Sequence, residues 1–273
     1  MSPSNVPVTS REYKLILNAD RFQDFESGED AFWHLVEFLV AKSGGEIVER
    51  QNEVKFRKTW YLDTPDFALR RQGWVTRLRK EKKKFKLTLK VRNPDRYVSA
   101  GKDLSVETEG DSFKTKFEED IIPQFSSKFA HSSSIKFKKQ PELTNVKHLV
   151  SIFPGLKELQ LAGKTPLQTV NEFVAHESAF WSGKVRFGGG LTIKACLSAW
   201  YPTKARQGIP LITEFSFDYD RVSNVGNESH DGLEQFDVAT VEACAGIFHS
   251  LQRQNGWIRH HATTKTAFAY DAF

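Results

Sequence analysis

From Glu53 to about Glu109, apolar and polar residues alternate with a period of two through EVKFRKTWYLD, GWVTRLR, FKLTLKVR and DLSVETE, with turn-forming residues between the runs. That period places apolar side chains on one face of a strand and polar ones on the other, and predicts four antiparallel strands. Ahead of them the period is helical: Phe32, Leu35, Val36, Leu39 and Val40 recur between Glu29 and Ser43, with Ser27 placed to cap the start and Gly44 to stop the end. Residues 110–165 mix short helical patterns (Leu143, Val146, Val150, Phe153) with the loop HSSSIKFKKQP, and predict a helical insertion across one side of a sheet. Strand patterning returns in VNEFVAHESAFW, whose spacing also fits a helix, and in LTIKACLSAWY and PLITEFSFDYD. A last helix follows, with Val241, Cys244, Ala245, Phe248 and Leu251 on one stripe, and then the tail TKTAFAY. Residues 1–9, small, polar and proline-bearing, predict a flexible arm ahead of a single domain over 10–273. The sum is an α+β domain on an antiparallel sheet, with roughly seven to nine strands, enough to close a barrel.

Residues two apart share a strand face. Arg77 therefore lies with Arg79, and Lys86 with Thr88 and Lys90, while Leu78, Phe85, Leu87 and Leu89 point the other way. Elsewhere the division repeats with carboxylates: Glu107 and Glu109 against Val106, and Glu214, Ser216, Asp218 and Asp220 against Phe215, Phe217 and Tyr219. Near the N-terminus Glu12 and Lys14 alternate with Tyr13 and Leu15. Any one such face could meet water. Recurrence over five strands, bases on some and acids on others, points instead to a barrel whose apolar face is outside under helices and whose lumen gathers both charges. Such a lumen suits a polyanion together with a hard divalent cation.

Composition adds little. The net charge of +5 arises from 39 basic and 34 acidic residues, and favours a polyanionic partner only weakly. Cys196 and Cys244 have no paired spacing, and no apolar run has the length of a signal peptide or spanning helix, so the expectation is a reduced, soluble, cytoplasmic protein without a membrane partner. His260 and His261 are adjacent and point apart, as surface residues do, and Trp60, Tyr61 and Trp74 are expected to pack the barrel.

The segment TWYLDTPDFALRRQGWVTRLRKEKKKFKLTLK resembles the central signature of the CYTH superfamily, the triphosphate tunnel metalloenzymes: an aromatic pair with Asp, a Thr-Pro-Asp turn, a Leu-Arg, an Arg-x-Arg strand and a Leu-Thr-x-Lys strand. VETE resembles the family's Glu-x-Glu strand, and TKTAFAY its C-terminal lysine motif. The resemblance is strong over residues 59–109, thin over 110–210 and present again from 211. It implies an eight-stranded antiparallel β-barrel, a tunnel with a polar lumen covered by helices, that hydrolyses tripolyphosphate, a nucleoside triphosphate or thiamine triphosphate with Mg²⁺ or Mn²⁺. It implies that Arg77, Arg79, Lys86 and Lys90 clamp phosphates with Lys14 and Lys265, that Glu107, Glu109, Glu12, Glu214 and Asp218 hold the metal, and that Glu12, Lys14 and Lys90 form the catalytic set. Where the family reads Glu-x-Glu-x-Lys, this chain has Ser10-Arg11-Glu12-Tyr13-Lys14, so the first acid is a serine. The alternative is therefore a binding module that holds polyphosphate, a nucleotide or an RNA 5′ triphosphate end without turnover. A basic RNA-binding surface, using the Lys80 to Lys84 tip and the Lys136 to Lys139 loop, is the third reading.

Overall fold

The alternating runs become strands because their apolar halves find covering helices while their charged halves find one another. The computed structural model describes residues 6–49, 54–107, 112–187, 192–220, 236, 238–260 and 264–271. In chain order the elements are β1 (Ser10–Leu17), α1 (Phe25–Lys42), β2 (Glu46–Glu49), β3 (Val54–Asp63), α2 (Ala68–Arg71), β4 (Trp74–Glu81), β5 (Lys84–Asn93), α3 (Arg96–Ala100), β6 (Phe113–Ile122), β7 (Ser126–Phe137), α4 (Val146–Ile152), β8 (Gln168–Thr169), β9 (Ala175–Arg186), β10 (Thr192–Tyr201), β11 (Ile212–Asp220), α5 (Val238–Gln252) and α6 (Lys265–Asp271). Nine strands close in the order β9-β10-β11-β1-β6-β7-β5-β4-β3, and β3 returns to β9 through pairs from Val54↔Phe180 to Thr59↔Ala175. β2 and β8 are short additions at the rim, beside β9 and β3.

An α+β barrel is therefore present, but neither eight-stranded nor wholly antiparallel: β1 and β6 run parallel, with Glu12 opposite Asp120. Of the predicted strand DLSVETE, the described residues 103–107 form no strand. Glu107 donates its backbone N–H to the Ile152 carbonyl, Asp103 accepts from the Ser105 N–H at 2.8 Å, and Leu104 is buried in the apolar cluster of α4, so this stretch is tied to the helical cover. Its place in the ring is taken by β6 and β7, inside the region expected to be helical. In β6 the outward face includes Glu119, ion-paired to Arg11 at 2.6 Å, and β7 is rich in serine, so neither has a clean apolar side to announce a strand. Among the described residues, helical structure in the insertion consists of α4 and short 3₁₀ turns over Pro123–Phe125 and Pro154–Leu159. Of the expected arm, residues 1–5 lie outside the described residues; Val8 is buried and Thr9 bonds the Phe117 carbonyl through both N–H and hydroxyl, so the chain is docked just before β1 begins.

Two apolar clusters hold the outside of the barrel. α1 starts at Asp24, whose carboxylate accepts the Ser27 N–H at 2.8 Å, rather than at Ser27, and ends where Gly44 takes a φ of +74°. Its buried stripe, Phe32, Trp33, Val36, Leu39 and Val40, packs with Cys244, Phe248 and Leu251 of α5 on Tyr13, Leu15, Phe215, Phe217 and Leu197. Each such side chain contributes roughly 1.5–3 kcal/mol by leaving water. The second cluster joins Trp74, Leu78, Leu87, Leu89 and Ile135 to Leu149, Phe153 and Leu156 beneath α4. A third closes one end of the lumen: Ile16, Tyr61, Val75, Trp200 and Ile212 meet Ala269 and Tyr270 of α6. Among the described residues no helix is long and apolar enough to cross a membrane.

Candidate active site

Directly paired residues of neighbouring strands share a face, and the register lines up the charged ones in the lumen. Ser10, Glu12 and Lys14 of β1 stand opposite Asp220, Asp218 and Ser216 of β11. Arg77 and Arg79 of β4 stand opposite Thr88 and Lys86 of β5, and Lys90 opposite Ser132 of β7. Arg57 of β3 faces Glu177 of β9, and Lys116 of β6 faces Ser132.

Two buried carboxylates organise these cations. Asp120, 1% exposed, accepts Lys14 Nζ at 2.7 Å, is also bonded by Arg92 and lies 3.5 Å from Lys90 Nζ. Burial alone would raise its pKa, but the charges of Lys14, Lys90 and Arg92 overcome this and hold it well below the ordinary carboxylate range. Glu177, 2% exposed, lies 3.7 Å from Arg57, 3.6 Å from Arg79 and 3.3 Å from Lys265, and accepts the Trp200 indole N–H at 3.2 Å. Burial opposes its ionisation too, and Arg79, Lys265 and Arg57 hold it low.

The cations fare unequally. Lys14 is held high, since Asp120 and Glu12, the latter 2.8 Å away, outweigh its burial. Lys265 likewise stays charged against burial through Glu214 at 3.3 Å and Glu177, and also bonds the Ser198 hydroxyl. Lys90, third in line at Asp120, is pushed down to about 8 by burial and by Arg92 and Lys14. Lys86 is also pushed to about 8, by burial and then by Arg77, Arg79, Lys116 and Lys136. Burial, with Arg77 and Arg57, lowers Arg79 to about 10, which leaves it a cation at neutral pH.

The structure thus brings Glu12, Lys14, Arg77, Arg79, Lys86, Lys90, Glu214, Asp218 and Lys265 into one lumen. Glu107 is not among them: it is exposed on the irregular stretch after α3. Glu109 lies outside the described residues. The acids that do face the lumen from the neighbouring strand are Glu118 and Asp120, and the hydroxyl of Ser10, itself 1% exposed, donates to Glu118 at 3.2 Å. Sequence reasoning missed these two, Arg57, Arg92 and Glu177. The alternation Lys114, Lys116, Glu118, Asp120 was a usable signal for the first pair. Asp63 of the quoted signature proves structural: buried, it accepts the N–H groups of Thr64, Leu69 and Arg70 and the Tyr270 hydroxyl at 2.9 Å, fixing α2 and α6 to β3.

For a divalent cation the donor set is small. Among the described residues no three His, Cys, Asp or Glu side chains group so as to hold a metal. Glu12 and Asp218 face each other across β1 and β11, and burial followed by the charge of Glu12 pushes the Asp218 carboxyl up to about 6. This carboxylate pair, of which Glu12 also bonds Lys14 at 2.8 Å, fits Mg²⁺ or Mn²⁺, which bind through one or two carboxylates with phosphate oxygens and waters completing the shell. Glu107 takes no part.

No known family profile matches the chain, and no curated protein matches it. Several solved structures are similar to it at low identity. The candidate adenylyl cyclase HpAC1 of Hippeastrum, described with a dominant triphosphatase activity, is 12% identical with a TM-score of 0.47, over 97% of this chain and 96% of its own. A candidate adenylate cyclase of Bacillus halodurans is 13% identical with a TM-score of 0.44, over 97% and 98%. An inorganic triphosphatase is 11% identical with a TM-score of 0.24, over 80% and 76%.

Proposed function

We propose that the chain is a triphosphate tunnel protein of the CYTH type, whose lumen binds a linear triphosphate and hydrolyses it with Mg²⁺ or Mn²⁺. The observation that carries this reading is a deficit of negative charge on one wall. Arg77, Arg79 and Lys86 converge there from two adjoining strands; Glu177, the carboxylate 3.6 Å from Arg79, is shared with Arg57 and Lys265. Taking cations out of water without partners costs several kcal/mol each, and a bound phosphate chain offsets that cost. The ordered signature of residues 59–90 supports the same ligand.

In this reading Arg77, Arg79 and Lys86 grip phosphate oxygens on one wall, and Lys90 with Lys14 does so near Asp120. Lys14 and Lys265 are kept charged by their own carboxylates and so present fixed positive charge without a proton to lose. Glu12 and Asp218 would hold the metal, which when bound neutralises phosphate charge and lowers the pKa of a water. The apolar closure beneath, around Trp200 and Tyr270, keeps bulk water from that end. The groups named here grip phosphates, which tripolyphosphate, ATP and thiamine triphosphate share.

A second reading, binding without turnover, is favoured by Ser10 in place of an acid and by the two-carboxylate donor set. Phosphate and pyrophosphate release from those three substrates, with Mg²⁺, Mn²⁺ or chelator, tests both. Metal-dependent release is expected. Turnover indifferent to chelator would refute the mechanism, and tight tripolyphosphate binding without release would establish the second reading.

A further inference from the structure

The cationic wall does not end where the lumen does. Lys86, the outermost partly buried base on the inward face of β5, pairs with Lys136 of β7, which is exposed; exposed Lys138 and Lys139 follow it, and the β4–β5 hairpin tip beside it carries exposed Lys82, Lys83 and Lys84. Neither β5 nor β7 contains a carboxylate. Glu81, next to the hairpin tip in sequence, is committed to Arg57 at 2.7 Å. The bases are continuous with the lumen, for Lys136 and Lys116 are among the charges that press on Lys86. A solvated tip would need no such continuity.

We propose that this lysine ledge holds the phosphates beyond the third of a linear inorganic polyphosphate, so that the protein selects long chains over tripolyphosphate. The inference rests on the reading of the lumen as a phosphate site and adds the length of its ligand. Ammonium groups act as point charges, suited to a uniform string of phosphates. A single-stranded nucleic acid is held by aromatic platforms and guanidinium planes as well; among the described residues the ledge lysines have two exposed rings at their margins, Phe113 on β6 and Phe56 on β3 with Arg206 over it, and no arginine among themselves, so point charges dominate the surface.

The test is binding to the full chain of tripolyphosphate, long-chain inorganic polyphosphate and a 5′-triphosphorylated oligonucleotide, for wild type and for the exposed-surface variant Lys82→Ser/Lys83→Ser/Lys139→Ser. Wild type should bind long polyphosphate at least ~10-fold tighter than tripolyphosphate, with a salt slope steeper by about 0.7 for each further phosphate engaged. The variant should lose that advantage and bind tripolyphosphate as wild type does. Equal affinity of wild type for both lengths, or equal losses on both in the variant, would overturn the ledge while leaving the lumen reading intact. A ledge-dependent preference for the oligonucleotide over polyphosphate would overturn it in favour of RNA. Failure of tripolyphosphate to bind at all would remove the lumen reading, and the ledge's continuity with it.

Discussion

β5 and β11 lie on opposite sides of the ring, four strands apart one way and five the other. They are charged in opposite senses. β5 presents Lys86, Lys90 and Arg92 and has no acid; β11 presents Glu214, Asp218 and Asp220 and has no base. Lumenal charges matched pair by pair would make a plugged, self-satisfied core. Sorted by wall, they leave cations depressed on one side (Lys86 and Lys90 near 8) and a carboxyl elevated on the other (Asp218 near 6). Between the walls, Asp120 and Glu177 do the stitching. The difference teaches that buried charge here has two jobs: Asp120 and Glu177 gather several cations and fix geometry, while Lys86 and Lys90 on one wall and Asp218 on the other stay incompletely compensated and suit an anion and a cation respectively.

The largest expected effect comes from breaking the stitching. Asp120→Ala leaves Lys14, Lys90 and Arg92 facing one another, and should destabilise the protein by about 3–5 kcal/mol in urea denaturation, with part recovered on adding tripolyphosphate. A loss under about 1 kcal/mol, the scale of an exposed pair, would mean that Asp120 is not the anchor. Next in size is the cationic wall itself: Arg79→Ala should weaken tripolyphosphate binding by about 1.5–3 kcal/mol, the worth of a charge-assisted hydrogen bond, while Lys82→Ala changes it little. Calorimetric titration of both variants decides whether the wall is a clamp or a diffuse patch.

A milder effect follows from pH. Lys86 and Lys90 fall from an ordinary 10.5 to about 8 on folding, so between those values the unfolded chain binds more protons than the folded one. Stability of the ligand-free protein should therefore rise as pH climbs from about 8 to 10.5, while triphosphate affinity, which needs both lysines charged, falls over the same window. Thermal melts across that range and calorimetry in two buffers near pH 8.5, where binding should take up protons, check the two halves. Smallest is Ser10→Glu. Glu118 already brings a carboxylate to the Ser10 hydroxyl, so a further acid should barely move the metal concentration for half-maximal activity; a large drop would show the acidic wall to be a ligand short.

The clamp was legible because β4 and β5 keep apolar and charged residues strictly apart, as Leu78 and Leu87 against Arg79 and Lys86 show. The acids were harder. VETE has the right residues two apart, but Asp103 turns the chain just ahead of it and the Glu107 N–H is taken by the Ile152 carbonyl, interactions no periodicity reveals. β6 hid behind Glu119, charged on its outward face for the sake of Arg11. Glu177 stands between Ala175 and Ala179, and only the closure of β3 on β9 shows that it meets Arg57. Local alternation marks a face; which strand supplies the counter-charge is a matter of ring order, and ring order is set by partners far along the chain.

The parallel contact between β1 and β6 has a topological meaning. Directions that alternate around a closed ring can match up only if the number of members is even. With nine members at least one neighbouring pair must point the same way, and here one pair does. The expectations of eight strands and of universal antiparallelism thus fail together, as a single error of parity. The odd step falls between the strands that carry Glu12 and Asp120, so the seam of the ring runs beside Lys14, which holds both sides of it.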